Sequence, residues 1–571
     1  MRPAFLPQHL HSALRVPLLS ACAPCANIPF DFDAVVVGGG IHGCGTAREL
    51  SLRGLRVLLV EKQDFGAETT AWSTRLVHGG LRYLETGQIR LVKEALRERE
   101  ALLNNASHLV KPAKIAIPIY KSIGRSKSLI KLGMTAYDLL SLGKTLPSHQ
   151  ILSADAGRSL VPNILEDDLN GIAVYYDAHV EYTERLCLEN ALDAMHNGAE
   201  VRNHCEVSGF SITGEQLKGV QLRNLRDGTK QFINTRIVVN AAGPWVENLT
   251  KLAGKEESNM ISARKGSHVI FKHINNAPDC LLHFESAIDG RPLIIVPWLG
   301  MHVVGSTETD QESDPQNAKI EMNEVNYLIK SINGILPKAN LTIGDVAFAY
   351  SGVRALAFDR KGGSTKTSRR HKIVDHGCAE KPNRIDGLVS LVGGKMTTYR
   401  STTEEIAQYV VNKLGHRGPS VDTNHRPLPG GYRDVINEIP MIFPRWSSLH
   451  PATKARLMNT YGAGLADLAR IINKDSSLSE IITNSNGILK GEVIYGFGSQ
   501  LAVTIEDLVA RRIMNTWTPS LGTESVRAIS AYSAEFLGWK KETLEEELHS
   551  YFTYIGRFDT KKIIQAAKAE K

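Results

Sequence analysis

Apolar and polar positions change rhythm several times along the 571 residues. Ala34–Val37 is a short, wholly apolar run, as a strand buried on both faces requires. Four glycines fall within the next six residues, then a mixed stretch of helical length, then a second, largely apolar run, Leu55–Val60, that stops at Glu61. Ile237–Val239 repeats the apolar run and opens into NAAGPW, ending at Trp245. Between Gly254 and Val353 the stretches HVIF, LIIVPW and HVVGST predict an antiparallel sheet. From Arg90, RLVKEALREREALL predicts a charged, leucine-rich helix. Beyond LPGG (Leu428–Gly431) the period is helical, with helices predicted over Thr453–Ile472, Ala502–Met514, Thr523–Phe536 and Leu544–Tyr554.

The stretch from Ala34 to Glu61 places Gly38, Gly40 and Gly43 in the frame G-x-G-x-x-G, with Glu61 eighteen residues beyond the third glycine. Strand, glycine turn, helix, strand and terminal acid in that order are the fingerprint of a dinucleotide site. Gly38 permits the tight exit from the strand, Gly40 lets a pyrophosphate approach the backbone, and Gly43 lets the helix pack on the strand. The helix N-terminus offers N–H groups and a positive dipole end, and Glu61 can accept from both ribose hydroxyls. The small-residue turn at Ala242 and Gly243 suits a flat, bulky cofactor passing close to backbone. No second G-x-G-x-x-G follows a convincing strand, which favours FAD over a nicotinamide cofactor.

Several segments resemble the FAD-dependent (respiratory) glycerol-3-phosphate dehydrogenases, within the D-amino-acid-oxidase-like flavoproteins. They are TAWSTRLVHGGLRYLE from Thr70, RKGSHVIF (Arg264–Phe271), IIVPW (Ile294–Trp298), YSGVRAL (Tyr350–Leu356), GGKMTTYR (Gly393–Arg400), LPGG and TIEDLVARR (Thr504–Arg512). The likeness spans roughly residues 32 to 560. It implies oxidation of sn-glycerol 3-phosphate to dihydroxyacetone phosphate by hydride transfer to FAD, with electrons passed to a membrane quinone. It implies a substrate pocket lined by Arg82, Tyr83, Arg354 and Lys395, with Arg369 of SRRH as a further arginine. Arg suits this work because its planar fork matches phosphate oxygens. His78 is the natural base for the hydroxyl proton, and a site built around Arg354 is the alternative. His78 and Arg82 flank Gly79, Gly80 and Leu81, and Lys395 follows Gly394, so lean backbone brings these groups close to a ligand. Thr70 and Ser73 are expected at the FAD phosphates, Val207 at the adenine, and Gly79, Gly80, Leu81, Gly394, Met396 and Thr397 along the cofactor. The chain departs from the family at Gly305–Glu308 (GSTE for the commoner GTTD), at Ala355 (for proline) and across Asp177–Leu186. Other readings are an oxidase of the same fold acting on a 2-hydroxy or amino acid, an oxygen-using glycerol-3-phosphate oxidase, and a catalytically silent flavoprotein.

The expected fold is therefore α/β: a Rossmann-like FAD-binding domain with an antiparallel β-sheet substrate domain, plus a C-terminal all-helical domain. Boundaries fall at 1–30 for a disordered or targeting extension, 31–423 for the oxidoreductase with its cap near 254–353, and 424–571 for the helical domain. The net charge of +7 and pI near 8.8 suit an anionic substrate and an acidic membrane surface. Nucleic acid is disfavoured, because there is no recognised motif and no long basic run. Seven cysteines show no metal spacing; Cys22–Cys25 is a lone C-x-x-C, and no metal is expected. No stretch reaches the roughly 18 apolar residues of a spanning helix. Tyr120–Leu146, with Lys121, Arg125, Lys127, Lys131 and Lys144 among Leu, Ile, Met and Tyr, reads as an interfacial helix or as an ordinary surface helix. The expected location is the cytoplasmic face of a bacterial inner membrane, or the mitochondrion in a eukaryote. A homodimer is compatible with these features.

Overall fold

The apolar run at the start of the chain forms β1 (Phe32–Val37), which leads through the glycine turn into α1 (Ile41–Leu52) and then β2 (Val57–Val60). A computed structural model describes residues 30–560, apart from 86, 123, 256–259, 312, 359–366, 369 and 381–382. The extension expected over the first 30 residues lies, but for its last residue, outside the described residues. β1 pairs in parallel with β2 on one side and with Lys230–Asn240 on the other, with Ala34 opposite both Val57 and Ile237. The parallel sheet continues to Leu388–Val392 and Glu200–Arg202, and Lys372–Asp375 adds an antiparallel edge. Ala34, Val35 and Val36 are buried completely, as strands covered on both faces must be. α1 packs between the helices Thr183–His196 and Tyr399–Leu414.

A second, larger sheet faces the first. From one edge its order is Thr367–Ser368, Val346–Phe358, Ile261–Phe271, Met301–Gly305, Pro292–Trp298, Leu281–Glu285, Val110–Tyr120, Leu169–Val180 and Leu76–Val77. It is wider than the alternation over 254–353 predicts, because Val110–Tyr120 and Leu169–Val180 form its far half. It is also mixed, since Leu281–Glu285 runs parallel to Val110–Tyr120. Leu169–Val180 reads as part of the nucleotide domain by its position in the chain. Long-range pairing with Val110–Tyr120 puts it in the other sheet, and the return to the nucleotide domain begins at the Thr183 helix.

The last third is helical, with two departures from the sequence pattern. Thr453–Ile472 is two helices, Pro451–Tyr461 and Leu465–Lys474, broken at Gly462, where φ is +51°. A side chain on Gly462 would lie 2.1 Å from the Gly430 carbonyl oxygen, so the break is fixed by close approach to the LPGG turn. Within Ala502–Met514, Asp507–Arg512 is wound as a π-helix, the wider winding often found where a helix serves a packing or functional need. The helices Val526–Leu537 and Lys541–Gly556 follow.

The Tyr120–Leu146 segment contains a helix over Lys127–Leu140, capped by the Ser126 side chain, which accepts from the Leu129 N–H at 3.3 Å. Met134 and Tyr137 point inward, whereas Leu132 and Leu139, with Leu142 just beyond the helix, are 61–74 % exposed. Among the described residues no helix is long and apolar enough to cross a membrane.

Candidate active site

Between the two sheets lies a cavity of about 1430 Å³. One end is built by the glycine turn. Gly38 has φ +109°, and a side chain there would meet the Ala241 carbonyl oxygen at 2.6 Å. Gly40 has only the Thr70 hydroxyl near its missing Cβ, at 3.5 Å, so backbone faces open space where a pyrophosphate would lie. Thr70 ties this turn to its neighbouring loop by accepting from the Ile41 N–H at 3.1 Å. Glu61 accepts from the N–H groups of Gly39 (2.5 Å) and Gln63 (2.8 Å). Burial raises its pKa, and those two hydrogen bonds oppose the rise. Val207, Ala242 and Gly243 complete this end. Trp245 closes its rim, donating from Nε1 to Asp314 at 3.0 Å beneath the Lys62 ammonium.

The same cavity is lined by charged groups. Gly80 sits at φ +75° and starts the short 3-10 turn Leu81–Leu84, which presents Arg82 and Tyr83. Lys395 Nζ lies 3.9 Å from the centroid of the Tyr83 ring, a cation–π contact that joins the two motifs. Arg354 donates from Nη2 to the Ser306 hydroxyl at 2.7 Å, and its Nη1 lies 4.0 Å from Glu308. The acid at the departure from the family pattern thus reaches the pocket arginine. Gly266 makes room for that guanidinium, since a side chain there would fall 2.5–2.7 Å from it. His78 donates its backbone N–H to the Thr397 hydroxyl at 3.2 Å.

His78, Arg82, Tyr83, Arg354 and Lys395 all line this one cavity, as do Gly38, Gly40, Glu61, Thr70, Ser73, Gly80, Leu81, Val207, Ala242, Gly243, Gly394, Met396 and Thr397. Gly43 and Gly79 do not. Gly43 supports the turn from behind, where a side chain would strike the Gly38 carbonyl oxygen at 1.8 Å. Gly79 is held by packing: its N–H donates to Asp177 at 3.1 Å, and a side chain would collide with the Tyr137 hydroxyl. Arg369 lies outside the described residues. Among the described residues no group of three His, Cys, Asp or Glu is arranged to hold a metal ion.

Three histidines in the cavity wall are not singled out by the sequence reading. His268 is buried, shares a 2.9 Å hydrogen bond with Thr74 and stacks near Tyr350 at 5.0 Å. Burial, with Arg354 and Arg75 nearby, pushes its pKa down to about 3. His42 in the glycine turn is pushed down to about 4 by burial, then by His371. His283 is also pushed down to about 4 by burial, against Glu285 and aided by His78 and Arg82. The signal for His268 is strand periodicity. Arg264, Gly266 and His268 share one face of their strand, and register sets them opposite Arg354, Gly352 and Tyr350.

A glycine cradle open toward a large cavity, a helix N-terminus aimed at it and an acid at the end of β2 fit an adenine dinucleotide. Fold and site together define a flavin-dependent oxidoreductase. Residues 33–400 match the family described as FAD dependent oxidoreductase, and residues 421–544 match the C-terminal domain of alpha-glycerophosphate oxidase. A glycerol-3-phosphate dehydrogenase of Synechocystis is 37 % identical over 92 % of this chain and 96 % of its own length. Glycerol-3-phosphate dehydrogenase 2 of Mycobacterium tuberculosis is 30 % identical over 92 % of this chain and 88 % of its own. The fold matches that of the Bacillus halodurans glycerol-3-phosphate dehydrogenase solved with FAD, at a TM-score of 0.75 and 23 % identity over 92 % of this chain and 95 % of that one. The chain belongs to the FAD-dependent glycerol-3-phosphate dehydrogenase family. Its cofactor is FAD.

Proposed function

We propose that this enzyme oxidises sn-glycerol 3-phosphate to dihydroxyacetone phosphate and passes the electrons to a membrane quinone. FAD, which the glycine turn and Glu61 would hold, would supply the redox chemistry as acceptor of the C2 hydride. The observation that carries the reading is that Arg82, Tyr83, Arg354 and Lys395 line the same cavity as the glycine turn. Such a set suits a phosphate dianion, because guanidinium forks donate paired, charge-assisted hydrogen bonds. Arg354, aimed by Ser306, holds the substrate oxygen as charge develops. His78, fixed through its backbone by Thr397, takes the hydroxyl proton. Glu308 competes with substrate for Arg354 and keeps that cation paired between turnovers.

The exposed leucine face of the Lys127–Leu140 helix supports peripheral attachment to a membrane, on the inner membrane in a bacterium or in the mitochondrion of a eukaryote. The match of residues 421–544 to an alpha-glycerophosphate oxidase domain favours a second acceptor, oxygen, for the same alcohol oxidation. Turnover of Arg354→Lys with glycerol 3-phosphate and a soluble quinone tests the reading. The lysine keeps charge and loses the fork, so turnover falls by two or more orders of magnitude with FAD still bound. Near-normal turnover removes Arg354 from the site. Faster reoxidation of the parent enzyme by oxygen than by quinone selects the oxidase.

A further inference from the structure

The loop Glu68–Thr74 forms one wall of the cofactor cavity. Its inner side is tied at four points. Thr70 holds α1 through the Ile41 N–H, and Thr69 donates from its hydroxyl to the Val353 carbonyl oxygen at 2.9 Å. Tyr350 donates to the Ser73 carbonyl oxygen at 2.9 Å, and Thr74 meets His268 at 2.9 Å. These bonds connect the loop to the glycine turn and to the two strands that carry Arg354 and His268.

Its outer side is held by the far end of the chain. The buried Trp72 ring lies 5.6 Å from Trp517 and 5.0 Å from Phe558, with the Arg557 guanidinium 5.4 Å from its centroid. Arg557 also pairs with Glu68 at 3.3 Å, and the Phe558 carbonyl oxygen accepts from the Ala349 N–H at 3.1 Å. On the opposite flank, a side chain on Gly352 would fall 2.8 Å from both Cβ and the carbonyl oxygen of Trp72. Trp72 is therefore wedged between the C-terminal helices and the strand bearing Arg354 two residues on. A few residues before the loop, Asp64 receives Arg511 at 2.5 Å and Arg512 at 2.7 Å, all three buried.

We infer that Trp72 is a positioning residue, and that Trp517, Arg557 and Phe558 are the outer half of its mount. The C-terminal helical part, rather than being an appendage, sets the loop that meets the cofactor phosphates and the strand that aims Arg354. Aromatic rings suit this role, because they bury large area with only two rotatable side-chain bonds. Removing the outer half leaves Trp72 free to rotate into the vacated space, and the loop loses its fixed distance from the glycine turn.

The test follows FAD release from the full-length holoenzyme at 25 °C, as the fluorescence gained on dilution. Phe558→Ala is expected to speed release tenfold or more, and Phe558→Tyr to restore it within twofold. Arg557→Gln, a change at a partly exposed side chain, is expected to speed release about threefold with little change in melting temperature. Leu468→Ala, buried in the C-terminal helices away from the loop, is the stability control: it is expected to lower the melting temperature and leave the release rate unchanged. Parent-like release in both Phe558→Ala and Arg557→Gln overturns the inference. So does equal acceleration by Leu468→Ala, which would mean that lost stability alone accounts for lost cofactor. FAD alone is read, so failure leaves the substrate assignment intact.

Discussion

At the scale of single residues, the site is built from groups whose charge state is set by burial. His42, His268 and His283 in the cavity wall, and His179 and His302 outside it, are pushed down to between about 3 and 4, each chiefly because burial disfavours the imidazolium. Their ordinary value is near 6.5. Below that pH the unfolded chain takes up protons that the native chain does not, so stability is lost as pH falls. Each such group contributes up to about 1.4 kcal/mol per pH unit within its window. His204 works the other way, since Asp507 raises its pKa and its contribution is lost as pH rises. Glu61, Glu181 and Glu506, raised by burial, act in the same sense as His204, but the five histidines carry the larger shifts, and the melting temperature should fall steadily from pH 6.5 to pH 4.5. A flat or rising profile would mean that the histidines are not buried neutral. The sequence shows His78, Arg82, Arg354 and Lys395 because each sits in a contiguous, glycine-containing motif. It hides the environment of His268, because neutrality there comes chiefly from burial, with Arg354 and Arg75 adding to it, and all three arise only through strand pairing and loop closure.

At the scale of elements, periodicity identified the β1–α1–β2 unit, because a buried parallel strand and a glycine turn leave local marks. The halves of the larger sheet were not equally legible. Pro292–Trp298 and Met301–Gly305 form a hairpin, whose pairing is local. Leu169–Val180 pairs with a strand about 60 residues earlier, and nothing local records that partner. The break at Gly462 was also hidden, since glycine is tolerated in helices and only the nearby Gly430 carbonyl oxygen makes it obligatory. The Lys127–Leu140 helix carries its own prediction. Glutamate at Leu139 and Leu142, neither of which lines the cavity, should abolish sedimentation with anionic lipid vesicles. Turnover with a soluble quinone should stay within about twofold of the parent. Undiminished sedimentation would assign that face to another contact.

At the scale of the whole molecule, two sheets enclose one cavity and the C-terminal helices brace it from outside. Buried ion pairs recur at the junctions: Arg75 with Glu184 at 2.7 Å, Arg400 with Glu98 at 2.7 Å, and Asp64 with Arg511 and Arg512. Breaking one partner of such a pair typically costs about 3–5 kcal/mol, because the other charge is left buried and uncompensated. These junctions tie together segments that lie far apart in the chain. The central claim is that this arrangement selects a phosphorylated secondary alcohol. Anaerobic titration of the purified yellow holoenzyme, followed at the flavin absorption band, tests it most directly. Glycerol 3-phosphate should bleach the flavin, while glycerol and alanine leave it oxidised; bleaching by a 2-hydroxy or amino acid, with none by glycerol 3-phosphate, would contradict the account.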